Sequence, residues 1–183
     1  AMTILAALNA RGRTGKGQRV AVNLFNTSLS MLVNVAANYL VGGEKAGRYG
    51  NGHPNIVPYR DYPCAEGEIA LSVGNDTQFA RFAEIAGHPE WSDDENFKTN
   101  AGRVVNRDRV DQMVRDALAA KPAEDWITEL QAAGISCSMI YPVDQALESA
   151  QAAANGMVIE MDHPTAGRFR ALGIPYEFSD TAA

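Results

Sequence analysis

Between Arg48 and Tyr59 no regular element can form. The stretch Arg48-Tyr49-Gly50-Asn51-Gly52-His53-Pro54-Asn55-Ile56-Val57-Pro58-Tyr59 holds two glycines, two asparagines, two prolines and a histidine. Glycine and asparagine tolerate left-handed backbone angles, and each proline fixes its own φ and lacks a backbone N–H. The stretch is therefore a shaped loop, and it divides the chain. A small-residue, helix-prone segment precedes it, and strands alternating with helices follow. Its glycines let a ligand approach the backbone closely, but by residue type alone it reads as a connector with a rigid tip.

The segment before the loop opens with Thr3–Ala10, where Ile4, Leu5 and Leu8 share a helical face and alanine fills the rest. No capping run precedes this helix, so it reads as the end of a longer one whose start is absent. Arg11 to Arg19 should stop it: Gly12, Gly15 and Gly17 make a loop, and Arg11, Arg13, Lys16 and Arg19 make it basic. An anion cradle is one reading. The spacing fits neither a P-loop nor a dinucleotide fingerprint, and a solvated turn is the simpler one. Val20–Val22 predicts a short strand. Residues 24–41 predict one long helix with Leu24, Leu29, Leu32, Val33, Ala36, Ala37 and Leu40 on one face, ended by Gly42-Gly43.

Beyond the loop, Tyr59–Ala65 and Glu68–Val73 predict a hairpin around Glu66-Gly67. Asn75-Asp76-Thr77 starts a helix that runs to Ala86, with Asp76 as its expected cap. Residues 88–100 read as loop, and the acidic run Ser92–Glu95 as a solvated surface without calcium-loop spacing. A single helix is expected over 102–120, burying Val105, Val110, Met113, Val114, Ala117 and Leu118. Arg103, Arg107, Arg109, Arg115, Asp108, Asp111 and Asp116 fall on its wet side. Pro122 should open the next helix, carrying Trp126, Ile127 and Leu130 inward. A strand over 135–141, a helix over 143–154 and a hairpin of 157–161 with 169–172 complete the reading. The tail from Ser179 should be loose.

Charge excludes some functions. With 22 acidic against 16 basic residues the formal charge is −6, poor for nucleic acid or an anionic membrane surface. No apolar run approaches a membrane span, and nothing resembles a signal peptide. Cys64 and Cys137 give neither a disulfide framework nor a metal pattern, which fits a reduced, cytoplasmic setting. His53, His88 and His163 lie far apart and each precedes a proline, as turn histidines do. No GxSxG elbow and no HExxH is present. Residue types alone identify no reaction.

The order of motifs does. Ala6-Ala7-Leu8, Arg11, Thr14-Gly15, Gly17-Gln18, Val20 and Val22 resemble the middle of the class III CoA-transferases, which include formyl-CoA and carnitine CoA-transferases. So do Arg48, Gly50-Asn51, His53-Pro54 and Pro58-Tyr59, then Gly67, Gly74-Asn75-Asp76 with Gln78-Phe79, and Phe97, Thr99 and Arg103. Trp126, Leu130 with Ala133-Gly134-Ile135, and His163-Pro164 with Gly167 continue the match to the end of the chain.

The resemblance implies an α/β fold: the small α/β domain of that family plus connecting helices from its Rossmann-like large domain. Residues 1–57 would be a large-domain remnant with linker loop, 58–155 the small domain, and 156–183 a return segment toward the large domain. It implies an interlocked homodimer acting on acyl-CoA and a carboxylic acid, with coenzyme A entering as the acyl-CoA substrate, and with no metal, nucleic-acid or membrane partner. It implies covalent catalysis by an aspartate that forms a mixed anhydride and then an aspartyl-CoA thioester. That aspartate would lie upstream of Ala1, leaving this stretch inactive alone. The family's glycine-rich loop shields the intermediate from water, so Gly50, Asn51, Gly52 and His53 become candidate substrate-binding residues, although they are not an all-glycine run. Leu24 falls where the family places an apolar residue beside the nucleophile. α-Methylacyl-CoA racemase shares the fold, and on that alternative Asp76 would be an acid/base residue. A non-catalytic assembly piece is the third reading.

Overall fold

A computed structural model of the chain describes residues 1–180. It forms two compact units, Ala1–Gly50 and Asn51–Ala183. The expected loose tail falls mostly on residues 181–183, outside the described residues.

The first unit is helical. α1 spans Met2–Thr14, four residues past the expected stop. Gly12 is accommodated within it, and the stop comes at Gly15, whose left-handed φ of 69° lets its N–H reach back 2.8 Å to Arg11 O. Arg11 and Arg13 lie in the last turn, where cations complement the helix dipole, so the basic run is partly a helix end. Val20–Val22 is irregular instead of a strand, since no described residue pairs with it. The single helix expected over 24–41 is two, α2 (Leu24–Ser30) and α3 (Val33–Gly42), bent by 75°. The cause is local. Thr27 Oγ1 donates back to Asn23 O and Ser30 Oγ to Thr27 O, at 2.9 and 2.7 Å, and such back-bonding competes with the helix ladder. No single helix among the described residues is long and apolar enough to cross a membrane.

The second unit is α/β. β1 (Tyr59–Pro63), β2 (Glu68–Ser72) and β3 (Ser136–Met139) form an antiparallel sheet in that order. The expected hairpin turns at Gly67, with φ 80°. Ile69, Leu71 and Val73 alternate onto the buried face, as the period-two pattern predicts. α4 (Asp76–Ile85), α6 (Arg107–Leu118) and α7 (Ala123–Ala132) supply Phe79, Phe82, Val110, Val114, Leu118, Trp126 and Leu130 to the same core. Each large apolar side chain buried this way contributes about 1.5–3 kcal/mol. Trp126 Nε1 is satisfied by Leu118 O at 2.9 Å. Pro122 sits one position earlier than expected, as the residue before α7. Between α4 and α6, Pro89–Ser92 makes a short 3-10 turn that buries Trp91.

The helix expected over 102–120 is also two: α5 (Asn100–Val105), then α6 after a break at Asn106. Asn106 Nδ2 bonds to Gly102 O at 2.9 Å, a local alternative to the ladder. The break turns Val105 outward to 84% exposure, and it leaves Arg103 fully buried and Asp111 buried, the reverse of the expectation for all three. Residues 143–154 split likewise into α8 (Val143–Glu148) and α9 (Ala150–Ala154) because Ser149 caps the second, its Oγ accepting from Ala152 N at 3.1 Å. β4 (Val158–His163) and β5 (Gly167–Leu172) pair as the expected hairpin.

Candidate functional site

Asn75, not Asp76, caps α4: its Oδ1 accepts from Gln78 N at 2.9 Å. Asp76 follows in the first turn and is used elsewhere. Its Oδ1 accepts from Arg103 Nη2 at 2.8 Å while the carboxylate stays half exposed. Arg103 is the centre of this corner. Its Nε donates to Val57 O and its Nη1 to Phe97 O, both at 2.7 Å, and its guanidinium lies 4.2 Å over the Phe79 ring. Burial lowers the Arg103 pKa and Asp76 opposes that shift; an arginine so far from neutral pH stays charged.

Arg103 does not grip the loop alone. Asn100 Nδ2 donates to Asn55 O at 2.8 Å and its Oδ1 accepts from Val57 N at 3.2 Å. Arg107 Nη1 and Nη2 donate to His53 O and Pro54 O at 3.0 and 2.7 Å. Residues 100 and 103 lie on α5 and residue 107 opens α6, and all three donate to the loop, so the two helices act as a comb of donors against it. From the other side His53 N donates to Tyr59 O at 2.9 Å, and the imidazole stacks on the Tyr59 ring at 5.1 Å and 21°. His53 Nδ1 accepts from Asn55 N at 3.1 Å, which puts the proton of the neutral ring on Nε2. This is the turn-histidine role expected of it. His163 plays it too, accepting from Thr165 N and Ala166 N.

The loop opens onto the outer face of the sheet. The register sets Tyr59, Ser72 and Ser136 in one cross-strand row and Asp61, Ala70 and Ser138 in the next. Small side chains in the middle and longer ones at the edge leave a groove of about 450 Å³, walled by Tyr59 and Ile140, with Asn51 at its margin. Hydroxyls on its floor can hydrogen-bond a polar ligand, and Arg60 and Asp61, with Nε and Oδ1 3.8 Å apart, add one charge of each sign to the lining. Cys137 borders it, but burial raises its thiol pKa, as burial and Glu68 raise that of Cys64, so neither is an activated nucleophile. Among the described residues no three His, Cys, Asp or Glu side chains converge as a metal site would need.

Of the residues the sequence nominated, Asn51, Gly52 and His53 belong to this second unit and lead into the clamped loop. Gly50, with φ 58°, is the last residue of the first unit. Leu24 opens α2 in that first unit and is 87% exposed. Asn100, Arg103 and Arg107 were missed. Their signal was a polar residue recurring at three- and four-residue steps in register with Val110 and Val114.

A family profile described as CoA-transferase family III matches residues 1–183. A succinyl-CoA:glutarate CoA-transferase of Mus musculus is 35% identical over 176 residues, covering 96% of this chain and 40% of its own length. A succinate–glutarate CoA-transferase of Agrobacterium fabrum is 33% identical over 159 residues, covering 87% and 40%. The crystal structure of a CAIB/BAIF family protein from Brucella suis superposes with a TM-score of 0.71 at 34% identity, over 98% of this chain and 46% of that one. The chain thus spans about two fifths of the length of these curated relatives.

Proposed function

The chain belongs to CoA-transferase family III, and from that premise we propose that it is the C-terminal portion of an enzyme moving CoA from an acyl-CoA to a carboxylic acid. The match along the whole chain carries this reading. One relative's name pairs succinyl-CoA with glutarate and another's pairs succinate with glutarate, so succinyl-CoA and a short dicarboxylate are the substrates to try first.

In the proposed cycle the nucleophile is an aspartate upstream of Ala1. It attacks the acyl-CoA thioester, forming a mixed anhydride and CoA thiolate. The thiolate returns to the aspartyl carbonyl and releases the donor acid. The acceptor carboxylate then attacks the aspartyl-CoA thioester, and CoA thiolate finally takes the acceptor acyl group, freeing the aspartate. The part proposed for this chain is to exclude water through Asn51, Gly52 and His53. The transferase names of the relatives favour this reading over a racemase one. An interlocked homodimer is part of the same proposal, supported by the exposed apolar side chains of α2 and α3.

The test is the full-length protein with succinyl-CoA and glutarate. Appearance of glutaryl-CoA, with an aspartyl-CoA adduct trapped by mass spectrometry upstream of Ala1, is the expected outcome. Absence of CoA transfer to any carboxylic acid would overturn it.

A further inference from the structure

The carbonyls of His53, Pro54, Asn55 and Val57 all accept from the α5–α6 face. Arg103 also carries Phe97 O inside the core and the half-exposed carboxylate of Asp76, and Asn100 also receives Val57 N, so each is tied to folding. Arg107 grips two successive loop carbonyls with its two terminal nitrogens, a planar fork that a lysine cannot reproduce. The residue it holds, His53, is pinned at its N–H and its ring by Tyr59, and Tyr59 walls the groove that Asn51 borders.

We infer that Arg107 is a positioning residue for the transfer reaction: by holding His53 O and Pro54 O it keeps Asn51–His53 in place over the reacting thioester. The inference rests on the transferase reading above. Its chemistry is a partition. Attack by the acceptor carboxylate on aspartyl-CoA leads to a new acyl-CoA. Attack by water on the same carbonyl breaks the same C–S bond, returns the aspartate carboxylate and releases CoA as the free thiol with no product thioester. A loosened loop admits water and shifts the ratio toward free thiol.

The experiment uses the full-length protein, wild type, Arg107→Gln and Arg107→Lys, with succinyl-CoA and glutarate. Amide hydrogen exchange at residues 51–57 is expected to rise about tenfold in both variants while β2 amides stay protected. The ratio of free CoA to glutaryl-CoA is expected to rise about tenfold in Arg107→Gln and less in Arg107→Lys, which keeps the charge but loses the fork. Unchanged loop exchange, or faster exchange with an unchanged ratio, overturns the inference. Should Arg107→Gln lose β2 protection as well, Arg107→Lys decides. A wild-type protein that transfers no CoA would sink the transferase reading itself, and faster exchange would then mark Arg107 as a structural clamp only.

Discussion

Arg103 shows what one buried cation does to a helix boundary. Its guanidinium satisfies two backbone carbonyls and a carboxylate, so removing it strands the two carbonyls, while the half-exposed carboxylate turns to water. Arg103→Met is expected to cost about 3 kcal/mol in urea unfolding, the scale for leaving two buried carbonyls without a donor. Asp76→Asn should cost about 1 kcal/mol or less, because that carboxylate is half exposed. A loss for Asp76→Asn as large as for Arg103→Met would contradict this account. Tyr62 is the second buried polar anchor, its hydroxyl donating to Asp111 Oδ1 at 2.5 Å while Arg60 Nη1 donates to Oδ2 at 3.2 Å. Burial foremost, then the bond to Asp111, raises the Tyr62 pKa far above the ordinary tyrosine value. The folded phenol therefore keeps its proton where the unfolded one, with pKa near 10, loses it. The unfolded state then binds fewer protons, and stability must fall as pH rises past that value. Urea titrations from pH 8 to 11 should show this fall in the wild type and a flatter curve in Tyr62→Phe. Neither Arg103 nor Asp111 was legible as an anchor: a charge pattern along a helix places arginine and aspartate on the wet side, and only the fold brings carbonyls to the one and the Tyr62 hydroxyl to the other.

Whether an element is one piece or two depends on which polar side chains turn back on the backbone. The hydrophobic period was enough to place the first hairpin, the inward face of β2 and the inward sides of α4 and α7, since those signals come from apolar side chains with one place to go, but not the pairing of β3 with β2. It was blind to the breaks at residues 31–32, Asn106 and Ser149, where hydroxyl and amide groups compete with helix bonds. The loop's shape was legible from its glycines and prolines. Its clamp was not, because the donors lie more than forty residues away in sequence. Gly102 shows how tightly α5 is set against that corner. A Cβ there would stand 2.6 Å from Asn96 O, a backbone atom that cannot swing aside. Gly102→Ala is therefore expected to destabilise by about 1–3 kcal/mol, the usual scale for overpacking. By shifting Asn100 and Arg103 it should also speed hydrogen exchange at residues 53–57. Unchanged exchange there would mean that α5 and the loop move independently.

The two units differ in how their stability can arise. The second holds the whole buried core, from Val57 to Ile135. Among the described residues of α1, α2 and α3 none is buried, while Leu24, Phe25, Leu40 and Val41 are each at least 71% exposed. Burial of apolar area must offset an ordering cost of about 1–2 kcal/mol per residue, which the first unit cannot do with its own side chains. Residues 51–183 produced alone should therefore melt cooperatively by circular dichroism. Residues 1–50 produced alone should lose helix gradually, without a transition. In the intact 183-residue chain the apolar surface of α2 and α3 should bind a hydrophobic dye or drive aggregation, and the full-length homodimer, with that surface covered, should bind no such dye and associate no further. That chain should also turn over no succinyl-CoA with glutarate, since the proposed nucleophile is not among its residues. A sharp melt for residues 1–50, or transfer catalysed by residues 1–183 alone, would mean that the first unit is complete in itself and that the attacking carboxylate must be sought within this chain.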